Sequence, residues 1–394
     1  MKRTIVIGGG AAGMMAALSA SGQVLLIEKT DSLGKKLCLT GNGRGNITNI
    51  TPINTFPEYY HNGKFLKKAL FTFTNEDLMA FFIKNGLKLK VEEKKVFPAS
   101  DKAKDVVKLL EKLLKKKGVE ILYKQKVKDI LVRDGQVLGV RTKDGLYYAA
   151  KVIVATGGAS FPQTGSSGDG FELLSKLGHN IISPRPALVP LKLLEKVAEL
   201  SGITVMDVNL ALFSSGKKIK ARRGPLLFTH FGLSGPTVLN LSCYLPLNFS
   251  EAKIKIDFFP EYSVDELKEK IISNGNKTLK NALPGKLPEK LREWLLNYFG
   301  QNPKAVVYSL SPKVITKVSQ ALKGTFFNLT GTMPLETAYV TAGGVDVKEI
   351  NPSTMESKLI KGVYLAGEII DCHGETGGFN LQMAFSTGFL AGKS

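Results

Sequence analysis

Hydrophobic and polar residues follow three patterns along this chain. Thr4-Ile-Val-Ile and Val24-Leu-Leu-Ile are short, unbroken apolar runs, as expected of strands buried on both faces. Between them, Gly8-Gly-Gly-Ala-Ala-Gly13 opens an apolar stretch of helical length. Over 62–128 the spacing becomes helical: Leu78, Phe81 and Phe82 share one face, and Val106, Leu109, Leu110, Leu113 and Leu114 share another. A period of two then predicts a meander of Ile121 to Val132, Gln136 to Thr142 and Leu146 to Val154, with turns at Asp134-Gly135 and Asp144-Gly145. The last of these strands runs into Ala155-Thr-Gly-Gly158.

Beyond Pro184-Arg-Pro-Ala-Leu-Val-Pro190 the texture changes, and the prolines predict a crossover out of the first domain. Up to Pro260 the residues alternate like short strands, as in Val205 to Phe213 and Ile254 to Phe259. From 263 to 325 they are helical. This reads as an inserted domain, part β and part helical, after which Gly362-Val-Tyr-Leu-Ala-Gly-Glu368 returns as a strand.

The first thirty residues carry the clearest chemistry. Gly8 permits a tight turn, Gly10 lets backbone approach a pyrophosphate and Gly13 lets helix and strand pack closely. The helix start offers free N–H groups and partial positive charge to phosphates. Glu28 ends the second strand, where a carboxylate accepts hydrogen bonds from both ribose hydroxyls of an adenosine and repels a 2′-phosphate. A dinucleotide is therefore expected, and the meander returning to Ala155-Thr-Gly favours FAD over NAD.

Three further stretches carry candidate residues. The loop from Lys29 to Asn49 holds four glycines with Lys35, Lys36 and Arg44, suited to a pyrophosphate or a substrate face. Gly367-Glu-Ile-Ile-Asp371 and Gly374 to Gly388 form a glycine and amide tail whose helix starts near Gly377 to Asn380; directed at a flavin pyrimidine, that helix start would stabilise negative charge. Asp371 would reach the ribityl chain or pyrophosphate. Phe228-Thr-His230-Phe-Gly-Leu-Ser-Gly-Pro236 is a loop in the inserted domain with catalytic-type residues, His230 among them.

Composition changes this picture in one respect. There are 54 basic residues against 34 acidic, a net charge of +20. Residues 84–128 alone carry fifteen lysines against six acids, and 188–329 carry twenty basic residues against eleven. A polyanion such as RNA uses such a field, through phosphate contacts that release counterions; the competing explanation is a lysine-rich solvated surface. Three separated cysteines exclude a disulfide framework or a zinc site and suit a reducing compartment. No secretion signal is read at the start and no apolar run approaches the ~20 residues that span a bilayer, so a cytoplasmic protein is expected.

With these motifs assembled, the chain resembles the BaiN-type, aminoacetone-oxidase-like family of bacterial NAD(P)/FAD-dependent flavoproteins, which includes RdsA-type ribosomal RNA dihydrouridine synthases. The match is carried by Gly8 to Gly13 with Glu28, Gly34 to Asn49, Ala155 to Gly170, Arg185 to Pro190, Phe228 to Pro236, Thr341-Ala-Gly-Gly-Val345 and Gly367 to Gly388. The resemblance implies an α/β fold: a two-dinucleotide-type Rossmann FAD-binding domain with a β-meander, interrupted by a β-rich domain and a small helical domain. The boundaries expected are 1–187 for the first part of the FAD domain, 188–262 for the β-rich insert, 263–323 for the helical insert, 324–340 for the return and 341–394 for the remaining FAD domain. Two departures stand out: Gly45 occupies a position where relatives usually have cysteine, and Cys372-His373 replace an apolar and a small residue.

The motifs and the resemblance together place the non-covalent FAD contacts at Gly8, Gly10, Ala11, Ala12, Gly13, Glu28, Lys29, Lys36, Thr40, Gly43, Arg44, Asn46, Val127, Ala155, Thr156, Gly157, Gly367, Glu368, Asp371, Gly377, Gly378, Phe379, Asn380 and Leu381. NAD(P)H would act as a transient reductant, since only one complete G-x-G-x-x-G unit is present. The leading expectation is reduction of a uracil base in RNA, with Cys372, His373 and His230 as candidate proton donors. The alternatives are a small-amine oxidase that uses oxygen, and an RNA-binding or assembly protein that keeps FAD without catalysis.

Overall fold

The computed structural model describes residues 3–394. Its first sheet is wholly parallel, in the order Val363–Leu365, Lys151–Val154, Thr4–Ile7, Val24–Ile27, Glu120–Leu122. Ile5, Val6, Leu25, Leu26, Val152, Ile153 and Val154 are all buried, which accounts for the unbroken apolar runs. The helix Ala11–Ser19 crosses between the first two strands and is buried on nearly every side by alanine and methionine. It packs on the last helix, Phe379–Lys393, at close range: a Cβ at Gly388 or Gly392 would collide with the carbonyl oxygens of Ala12 and Ala16.

Gly8 has a φ of +102°, and a Cβ there would strike Ala155 O, while a Cβ at Gly13 would strike Gly8 O. Gly10 is the contrast, with nothing within 4 Å of its Cβ direction. One glycine makes the turn, one allows the packing, and one leaves open space.

The meander differs from its sequence pattern at both ends. Its antiparallel strands are Asp129–Arg133, Gln136–Arg141 and Leu146–Tyr148. Glu120–Leu122 and Lys151–Val154 belong to the parallel sheet instead, because their apolar residues meet Leu25 to Ile27 and Thr4 to Ile7. The helical reading of 62–128 needs a similar correction. Helices Gly63–Thr72, Asn75–Lys84 and Ala103–Lys117 are present, but Leu89–Glu92 and Lys95–Pro98 form a hairpin that pairs with Thr48–Asn49.

The chain forms two compact units, one running to Ala187 and resuming at Pro334, the other spanning Leu188–Met333. In the first, Ile181–Ala187 pairs antiparallel with Val340–Val345, so departing and returning strands are neighbours. The second is built on a closed barrel in the order Leu191–Leu193, Gly232–Ser234, Lys217–Thr229, Thr204–Ser214, Ala252–Asp257, Thr325–Thr332. Helices Val264–Ile272, Glu289–Tyr298 and Pro312–Leu322 do not enclose a core of their own. Leu267, Ile271, Leu291, Leu295, Val318 and Leu322 join barrel residues such as Leu210, Ile254 and Phe327 in one apolar cluster. Among the described residues no helix is long and apolar enough to cross a membrane.

Candidate cofactor cleft and active site

A cleft opens at the carboxyl ends of the parallel strands, lined entirely by the first unit. Its floor is the glycine turn. Gly10 caps the helix Ala11–Ser19 with no side-chain hydrogen bond, so backbone N–H groups at that helix start remain available to an anion. Glu28 is fixed on both oxygens: Gly9 N donates to Oε2 at 2.7 Å and Thr30 N donates to Oε1 at 2.7 Å. The carboxylate therefore holds the turn as well as facing the cleft.

Lysines line one side, each held by a partner. Lys29 Nζ lies 2.7 Å from Asp169 Oδ2, which also takes Lys126 at 3.1 Å. Burial pushes the Asp169 carboxyl up, but hydrogen bonds from Lys29 and Lys126 outweigh it and leave it below its ordinary value. Lys36 Nζ donates to Ser160 Oγ at 2.7 Å and to Glu368 Oε2 at 2.8 Å, and Glu368 Oε1 accepts from Thr341 N at 2.7 Å.

Of the expected contacts, Gly8, Gly10, Ala11, Ala12, Glu28, Lys29, Lys36, Thr40, Val127, Ala155, Thr156, Gly157, Gly367, Glu368, Asn380 and Leu381 line the cleft. Gly13, Gly43, Arg44, Asn46, Asp371, Gly377, Gly378 and Phe379 do not. Gly13 packs beneath the turn. Arg44 is drawn away by Glu92 and Asp101, each at 2.7 Å, and lies over the Phe97 ring. Phe379 stacks on Tyr59 at 4.3 Å, and a Cβ at Gly378 would strike Thr48 O. Thr164, Gly165, Ser166 and Asp169 also line the cleft, although the sequence reading assigns them no cofactor contact. The signal that could find them is the second glycine-rich polar loop, Ser160 to Gly170.

The tail bulges between Glu368 and Asn380. Asn380 folds that bulge back on itself, its Oδ1 accepting from Gly374 N at 2.8 Å and its Nδ2 donating to Gly374 O at 2.7 Å. Within the bulge, Asp371 and His373 meet a residue that no sequence motif singles out. His61 Nε2 lies 3.6 Å from Asp371 Oδ2, and its ring stacks on that of His373 with centroids 5.1 Å apart. Tyr60 bridges to Gly374 and His61 N donates to His373 O, which holds the two imidazoles in register. Burial pushes the Asp371 carboxyl up, yet the imidazole of His61 beside it, with the charges of His373 and Arg185, brings it below the ordinary value.

Cys372 is fully buried beside Asp371, and burial drives its thiol far up. A thiol so held does not release a proton near neutrality, which counts against it as the donor. His230 lies on the exposed turn between Lys217–Thr229 and Gly232–Ser234 in the second unit, its ring edge-on to Phe231.

The HI0933-like protein Rossmann domain model matches residues 2–394. The chain belongs to the HI0933-like family. A 3-dehydro-bile acid Δ(4,6)-reductase of Clostridium scindens is 31% identical, the match covering 100% of this chain and 99% of that protein. Ribosomal RNA dihydrouridine synthases of Haemophilus influenzae and Escherichia coli are each 32% identical, covering 99% and 97% of this chain and 97% and 95% of theirs. The fold is shared with a flavocytochrome c3 fumarate reductase in its open conformation, at TM-score 0.52 and 16% identity over 100% of this chain and 77% of that one.

This HI0933-like chain is an FAD-dependent oxidoreductase. Its cleft fits the cofactor on two observations. The space beside Gly10 is what a side chain would fill, and the backbone N–H groups of the helix start behind it have no side-chain cap. Gly8, Gly10 and the first turn after them would hold the pyrophosphate, Glu28 the adenosine ribose, and Asn380 and Leu381, at the start of the last helix, the isoalloxazine end.

Proposed function

We propose that this chain reduces a uracil base of ribosomal RNA to dihydrouridine, with NAD(P)H as the source of electrons. The observation that carries this reading is the net charge of +20. A neutral or singly charged metabolite has no use for such a field, whereas a polyphosphate gains affinity from every lysine that displaces a counterion. Two relatives similar over nearly the whole chain bear the name of that activity.

Bound flavin supplies the hydride for such a reduction. The chain's own residues bind, orient and protonate. Cleft amides and the paired lysines 29 and 36 hold the cofactor's polar end, with Asp169 and Glu368 keeping those ammonium groups in place. With the hydride delivered to one carbon of the double bond, a single proton completes the reduction at the other, and a positioned acid must supply it. His373 is the preferred source, because its buried imidazole stacks on the His61 ring beside the Asp371 carboxylate, in the bulge next to the cleft-lining Asn380. A base paired in RNA must also be unstacked before it reaches any flavin.

A second reading, reduction of a steroid-like enone, is favoured by the full-length bile acid reductase relative. Nucleoside mass spectrometry of ribosomal RNA from strains with and without this protein separates the two. Dihydrouridine that disappears on deletion and returns on complementation supports RNA. Unchanged dihydrouridine, with NAD(P)H consumption stimulated by enones and not by RNA, overturns it.

A further inference from the structure

The outer face of the barrel carries two phenylalanines where strand alternation demands solvent-facing residues. Leu210 and Leu212, Ile254 and Ile256, and Phe327 and Leu329 point inward and are buried. The residues between them therefore face out. Register aligns these outward positions in rows: Phe213 lies opposite Lys218 on one side and Lys253 on the other, and Lys255 lies opposite Phe326. Phe326 is 43% exposed. Its ring meets Phe213 edge to face at 5.5 Å, with Lys255 Nζ 5.7 Å from its centroid.

Charge on this face is unbalanced. Lys218, Lys253 and Lys255 form no ion pair among the described residues. Two carboxylates at its margins are engaged, Asp257 by Lys323 at 2.7 Å and Glu195 by the backbone N and side-chain amide of Asn328, and Glu251, before Lys253, is one acid beside three lysines. Apolar protein surface would bury three uncompensated ammonium groups at a penalty. A single-stranded nucleic acid brings both complements at once, flat bases for the rings and phosphates for the lysines. Lys218 and Lys253 flank the Phe213 strand, two strand spacings or roughly 10 Å apart, so phosphates can be held on both sides of a stacked base.

We propose that this face is a binding platform for single-stranded RNA, with Phe213 and Phe326 stacking bases and Lys218, Lys253 and Lys255 holding phosphates. The proposal rests on the RNA reading given above and adds a site to it. The platform explains why aromatic residues stand among lysines on a barrel that needs neither for its own core.

The test uses the full-length protein and a fluorescein-labelled oligouridylate of about a dozen nucleotides, followed by anisotropy. Phe213→Ala with Phe326→Ala is expected to weaken binding by about ten- to a hundredfold. Phe326→Tyr, which keeps the ring, should stay near wild type. Lys253→Ala with Lys255→Ala should lower the slope of log affinity against log salt by about 0.7 for each phosphate that the lysines no longer neutralise. Unlabelled single strand should compete better than a duplex of equal length. Affinity unchanged in the double phenylalanine variant overturns the platform; so does equal competition by duplex, or by polyglutamate, which would assign the face to an acidic protein. If binding falls in the variant while wild-type protein leaves ribosomal dihydrouridine unchanged, the platform stands and the proposed reaction fails.

Discussion

Lys36 Nζ lies 2.8 Å from Glu368 Oε2, joining loops 332 residues apart in sequence. Both side chains are mostly buried, so either one left alone is a poorly solvated charge. Lys36→Met strands the Glu368 carboxylate beside the space where the cofactor's polar end would lie. Cofactor affinity is expected to fall at least tenfold, read as FAD released on dilution. Glu368→Gln should be milder, because its amide oxygen still accepts from Thr341 N. Retention of FAD at wild-type affinity by Lys36→Met would show that the pair does not shape the cleft.

Glu28→Gln tests the turn itself. Gln has one acceptor oxygen where Gly9 N and Thr30 N each need one, and its amide would face a backbone donor. Losing a charge-assisted bond in a buried site is worth about 1.5–3 kcal/mol. Both FAD affinity and the unfolding temperature of the apoprotein should drop. A variant that weakens FAD with an unchanged apoprotein melt would restrict Glu28 to the ligand.

Asp371 gives a pH dependence. Its carboxyl is below its ordinary value in the folded chain, so its contribution is full above the unfolded carboxylate value of about 3.9 and fades as pH falls through the lower folded value. Asp371→Asn should therefore cost about 1–2 kcal/mol of stability at pH 6 and almost nothing in strong acid. Denaturant melts at the two ends of that range check the sign.

Lys151 runs the opposite way. Burial lowers its ammonium to about 8, against a favourable charge from Glu356. The unfolded chain binds the proton more tightly, so stability should climb as pH rises from about 8 to about 10.5. With the side chain partly open to solvent, about 1–2 kcal/mol is expected. Lys151→Met should flatten that climb, although it forfeits the bond to Gly392 O and the packing against Tyr364.

The cofactor half is legible in the sequence because each of its glycines answers to a steric demand that few other residues meet. Gly8, Gly13 and Glu28 stand as their spacing implies. Arg44 misleads because its charge alone matches a pyrophosphate, and nothing nearby in sequence announces Glu92 and Asp101 as its partners. The hairpin at 89–98 hides for a related reason: its lysines and glutamates blur a period of two into the surrounding helical stretch. Lys117 shows the limit of counting charge. It looks like one more solvated lysine, yet its ammonium caps the first helix, donating to Ala17 O, Leu18 O and Ala20 O. His61 carries no motif at all. Its meaning comes from Tyr60 bridging to Gly374, a pairing across more than three hundred residues.

The chain leaves its first unit at Ala187 and re-enters beside it, where Val340 is the register partner of Ala187. For the parallel sheet, everything between those points is topologically a single long loop on a hairpin. Whole modules can be lengthened, exchanged or redecorated there without shifting one strand of the flavin scaffold. A lineage with this architecture can change what it acts on while its electron-carrying chemistry stays put, which is a structural reason why relatives of nearly equal similarity bear names as distant as a ribosome modifier and a bile acid reductase.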